Sequence, residues 1–151
     1  MLVKDMTHQE CMTLIAARRL GRLACCRHAQ PYIIPVYYAL SGSCLYSFSM
    51  PGQKIDWMRE NPRVCIEIDE ISSGGDWSSV VIQGKYLEFP DTEQWHRERV
   101  HAWSLLQKYG NWWEPGALKP APQAITGVSP HLFYGIDIAE VTGRRGIAGN
   151  A

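Results

Sequence analysis

The sequence predicts a mainly β protein: antiparallel strands curled into a barrel, with helices packed outside it. Three observations lead there. Six segments carry strand patterns, at 22–26, 32–40, 44–49, 63–71, 77–89 and 132–141, and few helical stretches accompany them. A parallel sheet needs a crossover helix between successive strands, and this order supplies too few. Gly84 interrupts the longest strand pattern, WSSVVIQGKYLEF, and so marks a bulge or bend of the kind that lets a sheet curl.

In chain order, Thr7-His8-Gln9-Glu10 has the spacing of a capping box, and Cys11, Leu14 and Ile15 follow as an apolar stripe. Arg18 and Arg19 suit the negative end of that helix, about 9–20, and Gly21 can take the left-handed cap. After the 22–26 strand comes a turn around 28–30. Pro35 interrupts the next strand; lacking an N–H, it belongs at an edge, at a bulge, or where the N–H side faces something other than a strand. Ser41-Gly42-Ser43 turns the chain into 44–49. In 63–71, Val64, Ile66 and Ile68 alternate with Cys65, Glu67 and Asp69, the pattern of a half-buried strand. Asp91-Thr92-Glu93-Gln94 caps a helix reaching about 109, with Val100, Trp103 and Leu106 close to one face. The chain reads as one domain, 1–151. Within it 110–130 is a Gly-, Pro- and Ala-rich loop around Trp112 and Trp113, fit either to plug its own monomer or to cover a site, and 142–151 is a flexible tail.

Composition removes several function classes. Fifteen basic and fifteen acidic residues cancel, so the overall field suits neither nucleic acid nor a membrane surface. No apolar run approaches the roughly 20 residues of a bilayer span, and the N-terminal stretch lacks the apolar core of a signal peptide; a cytoplasmic location is expected. The five cysteines, at 11, 25, 26, 44 and 65, form no CxxC pair, and buried thiols are expected rather than a disulfide framework or a zinc site. Six tryptophans and seven tyrosines offer flat amphipathic surface for a core, an interface or a planar ligand.

The stretch LYSFSMPGQKIDWMRENP, 45–62, carries the chemistry. It reads as a strand, a Met-Pro-Gly turn, and a short helix opened by Gln53 and Lys54 and stopped by Pro62. The first turn of a helix has unpaired N–H groups and a partial positive charge, which together suit a phosphate. Lys54 adds a full charge, worth ~4 kcal/mol at contact under an effective dielectric near 20, before desolvation. Ser49 is the nearest neutral donor. GQK lacks the spacing of a Walker loop, so taken alone the stretch also describes an exposed turn with a solvated lysine.

The runs GRLACCRHAQPYIIPVYYAL, LYSFSMPGQKIDWMRENPRVCIEID and WSSVVIQGKYLEF resemble, in this order, the pyridoxamine 5′-phosphate oxidase-like FMN-binding split β-barrels, especially the nitroimidazole-resistance branch. The resemblance covers roughly residues 5–109. It implies a six-stranded antiparallel split barrel, a homodimer, and FMN in the clefts between subunits. Pro35, Val36, Tyr37 and Tyr38 match the strand whose backbone lies along the flavin ring. Ser49, Met50, Gln53 and Lys54 match the phosphate and ribityl segment, and Trp77, Ser79 and Val80 match a strand start near the flavin. Phe48 departs from the pattern, since many relatives have histidine there, and chemistry through that imidazole is not available. The residues themselves agree: FMN needs a dianion site, a flat apolar slot and backbone groups for its pyrimidine edge. Lys54 suits the first; Tyr37, Phe48 and Trp77 suit the second; the proline-broken strand suits the third.

Other constellations are weaker. His96 and His101 are five apart on one helix and diverge by about 140°, so they are expected at the surface. Ser129-Pro130-His131 lacks the strand-turn-helix elbow of a hydrolase, and Arg144 and Arg145 read as a solvated tail. Two functions follow. One is an FMN-dependent oxidoreductase passing electrons from a nicotinamide to a small oxidised acceptor such as a nitro compound, with a deazaflavin as a variant cofactor. The other is a non-catalytic module of the same fold that stores or senses flavin or holds haem.

Overall fold

The structure is a computed structural model and describes residues 1–108 and 132–149. Its strands are β1 (Leu2–Asp5), β2 (Leu20–Arg27), β3 (Gln30–Tyr37), β4 (Ala39–Ser41), β5 (Cys44–Ser49), β6 (Arg63–Ile71), β7 (Trp77–Phe89) and β8 (Leu132–Ile147). Helices α1 (His8–Ala17), α2 (Gln53–Glu60) and α3 (His96–Leu106) flank them. All pairings are antiparallel, in the order β3-β2-β6-β7-β8-β5-β4, with β1 on β8. The expected mainly β architecture is therefore present, built on the six anticipated strands with β1 and β4 added.

The sheet branches at β8. One end of this strand pairs with β5 and the other with β1 on one side, while β7 pairs along its other side. The register slips between Gln83 and Gly84, where the bulge was expected. A Cβ on Gly84 would stand 2.5 Å from the Asp137 carbonyl oxygen, so a side chain at the bend would collide with backbone.

Inward-facing residues fill the barrel. Leu23, Ile66, Ile68, Val80 and Ile82 meet Cys11, Leu14 and Ile15 of α1 and Ile55 and Met58 of α2 in one core. Each such side chain contributes about 1.5–3 kcal/mol on burial. A second cluster joins Phe48, Phe89 and Phe133 to Ala102, Trp103 and Leu106 of α3.

Local signals decide much of this. The capping box forms: Glu10 N–H donates to Thr7 Oγ1 at 3.1 Å and Thr7 N–H to Glu10 Oε1 at 3.2 Å. Arg19 Nη1 donates to the Ala16 carbonyl at the other end of α1. Gly21, however, is not the cap. The helix stops at Ala17, Arg18 is already extended, and Gly21 lies in β2 facing Ile66, whose Cγ2 would be 2.7 Å from any Cβ there.

Three further expectations are corrected. Thr92 makes no side-chain cap; a 3₁₀ turn (Glu93–Trp95) delays α3, whose buried stripe is Arg99, Ala102, Trp103 and Leu106, leaving Val100 exposed. The 32–40 strand is two strands, because Tyr38 turns inward, its N–H donating to the Arg19 carbonyl (2.8 Å) and its hydroxyl to the Ile15 carbonyl (2.6 Å). Residues 142–147, expected in a flexible tail, continue β8: β7 and β1 supply ladder partners on both sides, and Arg144 and Arg145 pair with Asp5 (3.4 Å) and Glu10 (2.7 Å). The covering loop 110–130, with Trp112 and Trp113, and the 129–131 segment lie outside the described residues.

Candidate functional site

The candidate site begins at the open edge of β3, the terminal strand of the sheet, which pairs on one side with β2. The hairpin joining them turns on His28 and Ala29, both with left-handed backbone (φ 50° and 62°), the geometry of a type I′ turn. Such a turn makes Arg27 and Gln30 a hydrogen-bonded pair, and bonded and non-bonded pairs then alternate. Tyr32, Ile34 and Val36 therefore direct their N–H and C=O groups at β2, whereas Pro31, Ile33, Pro35 and Tyr37 direct theirs outward. Both prolines fall on outward positions, so neither removes a ladder bond. Tyr37 confirms the parity, its carbonyl accepting from Ser47 Oγ at 2.6 Å. Between the prolines the outward edge offers one donor, the Ile33 N–H, flanked by the carbonyls of Ile33 and Pro35 and by that of Pro31, which accepts from Gln30 Nε2 at 3.0 Å. Expecting Pro35 to break the ladder thus misplaced the cause: the groups face outward because β3 is an edge.

Lys54 stands at the start of α2. This helix has Gly52 as its N-cap, in extended conformation and with no side-chain cap bond, in contrast to the boxed start of α1. Its first turn, with Gln53 exposed and Lys54 half-buried, is therefore open to an outside acceptor; Asp56 is the acidic neighbour in that turn. Burial pushes the Cys25 thiol on β2 up, its neighbour Cys26 adds to this, and the Lys54 charge pulls the other way; α2 itself packs against the β2–β3 hairpin, with Trp57 5.6 Å from Tyr32, ring to ring, and Asn61 Nδ2 donating to the Cys26 carbonyl at 3.0 Å. Ser49 does not serve as a free donor. It is fully buried and its hydroxyl donates to the Met50 carbonyl at 2.6 Å. Met50 itself is exposed.

The remaining expected residues divide in two. Val36, Tyr38, Phe48 and Val80 are core residues, each at most 2% exposed, and Phe48 lies 5.6 Å from Phe133, ring to ring. What these positions can offer a ligand is backbone, so the flat slot expected from Phe48 is not formed by its ring. Trp77 and Ser79 are half-buried but lie at the opposite end of the sheet. By register, Cys25 is level with Val64 and Gly84, and Trp77 is seven residues along β7 from there, about 23 Å at 3.3 Å per residue. Trp77 covers Gly146 and Ser79 Oγ donates to Glu67 Oε1 at 2.8 Å. Glu67 and Asp69 in turn bracket Arg22 at 3.6 and 3.5 Å, so this pair is a cross-strand network on the outer face. One chain thus brings α2, which carries Lys54, to the β2–β3 hairpin but not to Trp77.

The outer face of the sheet carries Ile33, Ala24, Cys65 and Val81 in its middle, and grooves of about 330 and 640 Å³ cross it, the second lined by Trp77, Ser79, Val81 and Arg144. Nucleophilic chemistry has little support here. Burial pushes the Cys44 thiol up to about 11, and Cys11 and Cys25 are also raised by burial. Among the described residues no group of three or more His, Cys, Asp and Glu is placed to hold a metal ion. His96 and His101 are exposed on α3, the latter edge-on to Tyr46. Tyr32, Trp57 and Arg27, which cluster beside Lys54, were not singled out from the sequence; the Trp57 spacing, three residues after Lys54, was the available signal.

Comparison with known proteins identifies the family and the fold. The family model described as pyridoxamine 5′-phosphate oxidase matches residues 7–145. An uncharacterised protein of Rhizobium meliloti is 56% identical over 149 residues, 99% of either chain. A crystal structure of an FAD-binding protein from Mesorhizobium loti superposes with a TM-score of 0.82 at 47% identity, covering 97% of this chain and 100% of that one. The structure of a candidate 5-nitroimidazole antibiotic resistance protein from Bacteroides thetaiotaomicron shares the fold, with a TM-score of 0.74 at 17% identity over 96% of this chain and 89% of that one. The chain belongs to the pyridoxamine 5′-phosphate oxidase family and has its flavin-binding split-barrel fold.

Proposed function

We propose that this protein binds a flavin nucleotide at the β3 edge and the start of α2, and uses it as an oxidoreductase taking electrons from a nicotinamide to a small oxidised acceptor such as a nitro compound. One observation carries the reading: an edge strand whose outward side between two prolines holds a single N–H among carbonyls, next to a lysine at an uncapped helix start. The donor set fits the ligand. The pyrimidine edge of a flavin presents one N–H between two carbonyls: the Ile33 N–H can donate to one of those carbonyls while the Ile33 carbonyl accepts from the ring N–H, and the phosphate suits Lys54 with the first turn of α2. Prolines at 31 and 35 also keep another strand from adding there. The flavin, once bound, supplies the hydride and electron transfer; the chain's part is to hold and orient it.

The reading includes a homodimer. The Lys54 corner and the Trp77–Val80 strand start are too far apart in one chain to touch one flavin ring, and a second copy against the outer face supplies the missing half. FMN was expected from the sequence; the Mesorhizobium loti relative is described as FAD-binding, and the features above serve the part common to both. Titration of the purified protein with FMN and FAD, followed by visible flavin absorbance, tests binding, and oxidation of NADH or NADPH with a nitro acceptor tests turnover. Saturable binding with turnover is expected. Binding without turnover would reduce the protein to a flavin carrier, and a haem Soret band with no flavin binding would overturn the assignment.

A further inference from the structure

Helix α2 has eight residues, and few contacts fix its place. Ile55 and Met58, both fully buried, seat one side of it in the core. A seat of this kind sets the distance of a helix from a sheet better than its roll about its own axis. The roll is set by polar contacts at the far end. Arg59 and Glu60 are successive residues, so they leave the helix about 100° apart, and they reach strands on either side of β6. Glu60 meets Arg27 and His28 of the β2–β3 hairpin at 3.7 and 3.1 Å, where the partners are exposed and water screens them. The grip of Arg59 on β7 is tighter. Its Nε and Nη2 both donate to Glu88 Oε1, at 3.0 and 2.8 Å, and the Glu88 side chain is only 22% exposed. The same oxygen accepts from the Tyr86 hydroxyl at 2.8 Å, so the sheet holds the carboxylate in place for Arg59. Burial keeps the Tyr86 phenol well above its ordinary range, which leaves it a donor. The Tyr86 N–H donates to the Pro62 carbonyl at 2.8 Å, tying the chain just past α2 to the same stretch of β7.

We infer that Glu88 is a positioning residue of the flavin site: through Arg59 it fixes the roll of α2, and with it the place of Lys54 and the first-turn N–H groups. This rests on the flavin reading, with the phosphate at Lys54. A roll of about 20° would carry a side-chain tip at the helix rim by ~2 Å. Hydrogen-bond lengths span only ~0.5 Å, so the phosphate contacts depend on the roll. Riboflavin lacks the phosphate and gives the first turn nothing to hold. A displaced α2 therefore weakens FMN and spares riboflavin, whereas a general loss of stability weakens both.

The test is equilibrium titration with FMN and with riboflavin of the full chain as wild type, Glu88→Gln, Arg59→Gln and the double variant, with thermal melts to confirm folding. The wild type is expected to prefer FMN. In each single variant the FMN affinity should fall about tenfold while riboflavin stays within about twofold. The double variant should lose no more than either single one, because one contact is removed in all three. An unchanged FMN to riboflavin ratio in the single variants, equal losses for the two ligands, or losses that multiply in the double variant would overturn the inference and leave the flavin reading standing. A wild type that binds both ligands equally, or neither, would remove the phosphate from Lys54 and this inference with it.

Discussion

A lysine at the mouth of a helix is a common surface feature, and Lys54 gains its meaning from what adjoins it: an uncapped first turn, the Cys25 thiol close enough to feel its charge, and an open strand edge. A charge-assisted bond to a phosphate is worth about 1.5–3 kcal/mol net, so Lys54→Ala should weaken FMN binding by about tenfold to a hundredfold. His96→Ala, on the exposed side of α3, should bind as the wild type does; equal affinities for the two variants would remove Lys54 from the site. The position of this lysine was legible because turn and helix-start signals are local. That Phe48 is buried against Phe133 was not, since it follows from β5 meeting β8 across the sheet, nor was the turn of the Ser49 hydroxyl inward to the adjacent Met50 carbonyl. Buried acids make a second prediction. Folded Cys44 keeps its proton to about pH 11, whereas the unfolded thiol releases it near its ordinary value of about 9. Between those values the unfolded state binds fewer protons, so stability falls as pH rises. Tyr38 and Tyr86, also pushed up by burial, act in the same direction at higher pH. Melting temperatures from neutral pH to about pH 11 should decline, with the decline partly flattened in Cys44→Ala; a flat profile in the wild type would contradict this.

The β2–β3 hairpin sets which backbone groups face outward, and it does so with His28 and Ala29 where Asn-Gly would be the usual choice. A left-handed backbone costs a non-glycine residue roughly 1–2 kcal/mol, of which glycine's extra flexibility returns part. Ala29→Gly should therefore raise the unfolding free energy by about 0.5–1 kcal/mol in a denaturant titration; a loss of stability would mean the turn is not type I′. A turn was legible around 28–30, but its type was not, because neither residue advertises a positive φ. The parity of Pro31 and Pro35, and with it the outward Ile33 N–H, could only be read once the turn was known. Gly84 shows the opposite case, in which a single glycine in a long strand pattern announced the bend that the sheet needed. β1 was missed because LVKD is short and becomes a strand only by pairing with 144–147, residues far away in the sequence.

At the scale of the described residues, α1, α2 and α3 pack into the two interior clusters, while the outer face keeps Ile33, Ala24, Cys65 and Val81 in its middle. A second copy on that face would bury these residues and bring one chain's Trp77 toward the other's Lys54. Sedimentation of the wild type should give a dimer, and Val81→Arg, which sets a charge in the centre of the face, should shift it to a monomer that also loses flavin; a wild-type monomer that binds flavin at full affinity would refute the shared site. The most direct measurement is a crystal structure of the protein grown with a saturating flavin nucleotide. The account predicts the phosphate at Lys54 and the first turn of α2, with the pyrimidine edge on the Ile33 N–H between Pro31 and Pro35. A flavin bound elsewhere, with water along that edge, would contradict it.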